Sequence, residues 1–108
     1  MRYEELPPIA RADYRAASQS VTPAIRAEAI LRLALHDDDV AFVDSACQRT
    51  LDDYDWTVRR AAILAVGHMA RLHGTVDPAT VSAIRRMTDD PDVGACAIDV
   101  LDDIDIFT

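Results

Sequence analysis

The stretch "DDYDWTVRRAAILAVGHMARLHG", residues 52–74, decides the fold of this sequence. Apolar and small residues recur in it at spacings of four and three, which is the pattern of a helix with one buried face. Those residues are Val58, Ala62, Ala65, Met69 and Leu72. Asp55 and Thr57 are candidate caps for its start, and His73 with Gly74 is a typical helix end. The stretch therefore predicts one amphipathic helix.

Comparable helical patterns flank this stretch on both sides. One helix is predicted to begin at the Thr22-Pro23 cap and to run to about residue 35, and a second to cover about 40–51. Another begins at Asp77-Pro78, and a last one follows residues 89–92. The residues expected to face inward on these four helices are Ile25, Ala29, Leu33, Val40, Val43, Cys47, Leu51, Val81, Ile84, Met87, Val93, Ala97, Val100, Leu101 and Ile104.

Three segments of the chain align with one another. Residues 25–33 match residues 58–66 at an offset of 33, and these match residues 93–101 at an offset of 35. Repeated helix pairs that cannot bury their apolar faces alone are expected to stack. We predict an all-α fold in a single domain, 1–108. Its repeat units are about 22–53, 55–90 and 91–106, and a helical cap, 9–20, precedes them.

The motif "DWTVRRAA", residues 55–62, resembles the inter-repeat motif of HEAT repeats of the short bacterial, HEAT-like kind. The resemblance implies a short right-handed α-solenoid of antiparallel helix pairs, in which the aspartate and the arginine bond between repeats. We expect Arg59 or Arg60 to pair with Asp55 or Asp92. The third unit departs from the motif, since Gly94 stands where the arginine would be.

The whole chain also resembles a second group, the immunity proteins of bacterial contact-dependent growth-inhibition (CDI) systems. The segments "GHMARLHGTVD", residues 67–77, and "LDDIDIF", residues 101–107, contribute to this resemblance. It implies that the chain binds and neutralises a toxin.

The composition excludes several classes of function. Nineteen acidic residues stand against eleven arginines and no lysine, which gives a net charge of −8. Residues 37–108 alone carry six arginines and fifteen acidic residues. A field of that sign repels phosphate backbones and attracts basic surfaces, so direct nucleic-acid binding is not expected. No segment is apolar enough to span a membrane, and we expect a cytoplasmic protein whose oligomeric state stays open.

The sequence offers no catalytic or metal-binding constellation. His68 and His73 are five residues apart, whereas zinc pairs on a helix need three or four. The paired His-Glu dipeptides of HEAT-type hydroxylases are missing, and Cys47 and Cys96 occupy core-like positions. We predict no enzymatic activity, no metal and no cofactor.

The aspartates are the remaining feature, because they recur in groups at the predicted turns. Helix capping would need only one residue of each group. Stacked turns would align them into an acidic ridge, with Tyr54 and Trp56 as rigid contact groups, although Trp56 could equally cover the repeat junction. The predicted partner-binding residues are Asp37, Asp38, Asp52, Asp53, Tyr54, Asp55, Trp56, Asp89, Asp90, Asp102 and Asp103.

Two functions remain open at this point. The first is an immunity protein whose acidic surface occludes a basic toxin domain, which we expect to be a nuclease. The second is a generic HEAT-like scaffold that assembles protein complexes without inhibiting anything.

Overall fold

The computed structural model describes residues 6–108, and its regular structure there is entirely helical. This confirms the predicted all-α class. The six helices of the described part are α1 (Arg11–Ser18), α2 (Pro23–His36), α3 (Val40–Thr50), α4 (Trp56–His73), α5 (Pro78–Arg85) and α6 (Gly94–Phe107).

Local chemistry accounts for most of the helix starts and for the end of α4. The carboxylates of Asp39, Asp55 and Asp77 accept hydrogen bonds from backbone N–H groups in the first turns of α3, α4 and α5. Pro23 opens α2, where its missing N–H costs nothing, but the side chain of Thr22 makes no capping bond. Gly74 ends α4 with φ of 69°, in the left-handed region that favours glycine.

The helices α2, α4 and α6 lie side by side and run in the same direction. From α4 to α6, the Gly67 backbone faces Val100, and the Arg71 guanidinium bonds the Asp103 carboxylate at 2.8 Å. These contacts follow the same order along both helices, which makes the helices parallel. Arg26, near the start of α2, likewise bonds Asp53, just before the start of α4.

The helices α1, α3 and α5 form a second row, which packs on the row of α2, α4 and α6 and runs antiparallel to it. Arg11, at the start of α1, bonds Asp37, just beyond the end of α2. Successive members of this second row also meet. The Tyr14 and Phe42 rings of α1 and α3 pack edge to face with centroids 6.4 Å apart, and Asp44 of α3 accepts a hydrogen bond from Thr80 of α5. Three antiparallel hairpins therefore follow one another, α1–α2, α3–α4 and α5–α6.

The core lies between the two rows. Its largest fully buried side chains include Ile30 and Leu33 of α2, Ile63 and Met69 of α4, and Ile84 of α5. Two predicted core residues were wrong, since Ile25 is 46% exposed and Leu72 is 55% exposed. Ile25 lies in the first turn of α2 and Leu72 in the last turn of α4, where neighbouring helices cover less of the surface.

Close helix contacts explain two of the glycines. A Cβ on Gly67 would lie 3.3 Å from a methyl group of Val100, so the glycine lets α6 approach α4 closely there. A Cβ on Gly94 would lie 2.5 Å from the carbonyl oxygen of Thr88. No side chain fits at Gly94 without a shift of the backbone, so the arginine of the motif could not be accommodated at this position.

The overall dimensions are 31 × 28 × 26 Å, since three hairpins are too few to give an elongated molecule. Among residues 6–108, no helix is both long and apolar enough to cross a membrane. The right-handed α-solenoid and the repeat boundaries stay predictions.

Candidate partner-binding surface

Each aspartate doublet contains one member that holds the fold together. Asp37 accepts two hydrogen bonds from Arg11, both at 3.0 Å. Asp53 accepts bonds of 2.9 and 3.0 Å from Arg26, whose side chain is only 8% exposed. Both pairs are bidentate, the geometry that suits a guanidinium and a carboxylate.

The two later doublets follow the same rule. Asp90 lies 3.8 Å from the Arg59 guanidinium and accepts the backbone N–H of Asp92 at 2.8 Å, and Asp103 bonds Arg71. The other members are exposed, and their carboxylates accept no hydrogen bond from residues 6–108. These are Asp38, Asp52, Asp89 and Asp102. The doublets therefore supply one structural and one accessible carboxylate each.

The predicted ion pair of Arg59 with Asp55 or Asp92 is not formed, and a role of Arg59 between repeats stays a prediction. Arg59 pairs with Asp90 and donates to the backbone carbonyls of Asp53 and Tyr54. Asp55 instead accepts from the backbone N–H and the hydroxyl of Thr57, within its own helix start. Asp92 contributes its N–H to Asp90, and Arg60 is exposed.

These contacts also shift the acidity of the groups involved. The Arg26 guanidinium holds the pKa of the Asp53 carboxyl below its usual range, against the opposing effect of burial. Arg11 lowers the pKa of Asp37 in the same way, and the hydroxyl of Thr57 lowers that of Asp55. Burial raises the pKa of the Cys47 and Cys96 thiols, so both stay protonated near neutral pH.

Tyr54 and Trp56 lie next to the Asp52-Asp53 doublet. Tyr54 is 80% exposed, and the guanidinium carbon of Arg26 lies 4.9 Å from its ring centroid. Trp56 is the first residue of α4 and is 45% exposed. Tyr54 is thus accessible to a partner, whereas a little more than half of Trp56 is covered by the protein.

The packing of the helices sorts the charges into two edges. We call the half around the starts of α2, α4 and α6, residues 15–27, 48–61 and 82–95, the balanced edge. It carries seven arginines and six aspartates. The opposite half, 6–14, 28–47, 62–81 and 96–108, is the acidic edge, and it carries three arginines and eleven acidic residues. The whole negative excess of the described residues therefore lies on the acidic edge.

This division corrects the expectation of a single acidic ridge. Asp52, Asp53 and Asp55 lie on the balanced edge, together with Asp89 and Asp90. Their charges are compensated by arginines at the ends of α3 and α5 and at the starts of α2 and α4. Of the predicted partner-binding residues, those on the acidic edge are Asp37, Asp38, Asp102 and Asp103.

The outward face of α6 belongs to the acidic edge for most of its length, and sequence reasoning missed part of it. Its side chains follow each other at spacings of three, four and seven, as on one face of a helix. They are Ile98, Asp99, Asp102, Asp105 and Ile106, and all are exposed. The signal was present in the sequence, because α6 contains four aspartates and no base.

Two of the three histidines make polar contacts within the fold. His36 Nε2 lies 2.6 Å from the Leu6 carbonyl oxygen, and His68 Nδ1 contacts the Arg71 guanidinium. Within residues 6–108, the His, Cys, Asp and Glu side chains form no group of three or more that could hold a metal ion.

Comparison with known proteins gives an informative similarity to a solved structure. No family model matches the chain, and no curated protein matches it. Among solved structures, it is similar to a chain in the crystal structure of a CDI complex from Cupriavidus taiwanensis LMG 19424. The two are 30% identical with a TM-score of 0.85, and the match covers 99% of this chain and 97% of that chain. Of the two predicted resemblances, this supports the one to CDI proteins, and the HEAT-like assignment stays a prediction.

Proposed function

We propose that this chain, which belongs to the same family as the matched chain of the Cupriavidus taiwanensis CDI complex, is an immunity protein that binds and neutralises a toxin. The similarity over nearly the full length of both chains is the observation that carries this proposal. We further propose that it acts by binding alone, without enzymatic activity or a cofactor, in the cytoplasm of the bacterium that makes it.

The charge distribution supports a basic partner. The acidic edge presents exposed carboxylates, among them Asp38, Asp102 and Asp105, without enough arginines to neutralise them. Oppositely charged surfaces associate faster, and like-charged ones are rejected. A toxin that cleaves nucleic acid needs a positive groove for the phosphate backbone of its substrate. We therefore expect the toxin to be a nuclease whose groove the immunity protein covers.

The test is a neutralisation experiment with the toxin domain of the CDI system that is encoded with this chain. Nuclease activity of the toxin should fall in proportion to added immunity protein and vanish near a one-to-one ratio. Co-expression should restore growth of cells that make the toxin. The matched control is an immunity protein from an unrelated CDI system, which should neither bind nor protect.

Two results would overturn the proposal. If the toxin stays active and no complex forms at micromolar concentrations, the chain is not its immunity protein. If the chain binds the toxin and leaves both its activity and its toxicity unchanged, the chain is a scaffold of the HEAT-like kind that does not inhibit.

A further inference from the structure

The outward face of α6 combines exposed apolar and acidic side chains. Ile98 is 50% exposed and Ile106 is 72% exposed. Asp99, Asp102 and Asp105 lie between and beside them on the same face and form no ion pair within residues 6–108. α6 packs mainly on α4 and α5, so its opposite face is open to solvent.

Helix physics disfavours this arrangement. A helix carries partial negative charge at its carboxyl end, so carboxylates there are repelled and bases are preferred. α6 has three aspartates in its second half, Asp102, Asp103 and Asp105, and no basic residue in its last turn. Asp99 and Asp102 are three residues apart, as are Asp102 and Asp105, and like charges at that spacing repel each other. Only Asp103 is paired within the described chain, with Arg71.

Local rules are broken most often where a surface is used for function. We infer that the outward face of α6 is the docking surface for a basic surface of the partner toxin, an inference that rests on the proposed function. The two isoleucines supply apolar contact, and the three aspartates receive lysine or arginine side chains of the toxin.

A second copy of this chain is a poor occupant of the face. Pairing two copies through α6 would bring two sets of three unpaired aspartates together. The balanced edge of this chain is the alternative docking surface for the toxin, because it presents Tyr54 and Trp56. It lacks an excess of either charge and therefore offers little electrostatic preference for a basic partner.

The experiment compares two variants that each remove three negative charges. D99N/D102N/D105N alters the face of α6, and D52N/D89N/D92N alters exposed aspartates of the balanced edge. Binding of each to a catalytically inactive toxin domain is measured over a range of salt concentrations. The α6 variant should bind at least about tenfold more weakly and with a flatter salt dependence, and the control should lose less than about threefold.

Stability measurements on the free variants separate docking from folding. Removing the repulsion within α6 should leave its thermal midpoint unchanged or raise it, while affinity falls. A second variant, I98S/I106S, should also weaken binding, because it removes the apolar contact without changing the charge.

The outcomes for the two proposals differ. If the unaltered chain does not bind the toxin, the proposed function is wrong. If the unaltered chain binds, but the α6 variant binds equally well or both charge variants lose affinity alike, the α6 docking surface is wrong and the immunity function stands.

Discussion

At the scale of single residues, four aspartates of this chain do structural work that the sequence did not reveal. The doublets looked redundant because capping needs one carboxylate. The structure shows that Asp37, Asp53, Asp90 and Asp103 each bind an arginine far away in sequence. Such pairing depends on which helices become neighbours, so spacing along the chain could not assign it.

The pairing of Asp53 with Arg26 should make the unfolding free energy depend on pH. Its pKa is lower in the folded state than in the unfolded chain, because Arg26 stabilises the ionised form. The resulting stabilisation is present above the unfolded pKa of about 4 and is lost as the pH falls through the folded pKa. Asp53→Asn should therefore flatten the loss of unfolding free energy between about pH 5 and pH 2. The unfolding free energy is measured at several pH values by urea denaturation followed by circular dichroism.

Asp52→Asn is the matched control for this measurement. Asp52 is the exposed neighbour and accepts no hydrogen bond from residues 6–108, so its removal should keep the acid dependence of the unaltered chain. Equal slopes for the two variants would show that the Arg26–Asp53 pair does not contribute to acid stability.

At the scale of helices, the sequence predicted what depends on local chemistry. Apolar spacing, proline at the first helical position and the glycine after residue 73 placed five helices correctly to within a few residues. The packing between helices was harder to predict from the sequence. Ile25 and Leu72 fit the apolar stripe of their helices but lie outside the core. The acidic edge could not be predicted, because assigning each charge to an edge requires the direction of every helix.

The contact between α3 and α5 depends on a buried carboxylate. Asp44 is 5% exposed and accepts hydrogen bonds from the Thr80 hydroxyl and, at 2.7 Å, from the backbone N–H of Asp77. Thr80→Val keeps the volume but leaves this buried carboxylate with one donor fewer. We expect a loss of about 1–3 kcal/mol in unfolding free energy, measured by urea denaturation.

Ser82→Ala controls for the loss of a hydroxyl group. Ser82 lies in the same helix and is exposed, so its replacement should change stability by no more than about 0.5 kcal/mol. Amide exchange in α5 should accelerate in the Thr80 variant and stay unchanged in the control. A Thr80 variant as stable as the unaltered chain would rule out this contact as a main connection between the two helices.

At the scale of the whole molecule, the distance between the two edges determines which charges act on a bound partner. The eighteen residues of α4 run from one edge to the other, a length of about 27 Å at 1.5 Å per residue. Charges are screened over about 10 Å at 0.1 M salt. A partner bound at one edge is therefore affected by the charges of that edge far more than by the net charge of −8.

This asymmetry can be tested without any partner, on an anion-exchange column. D38N/D102N/D105N and D52N/D89N/D92N remove the same formal charge from the acidic and the balanced edge, and all six aspartates are exposed. The protein should adsorb through its most negative surface, so the first variant should elute at clearly lower salt than the second. Elution at the same salt would mean that retention follows net charge alone and that the edges are not electrically distinct.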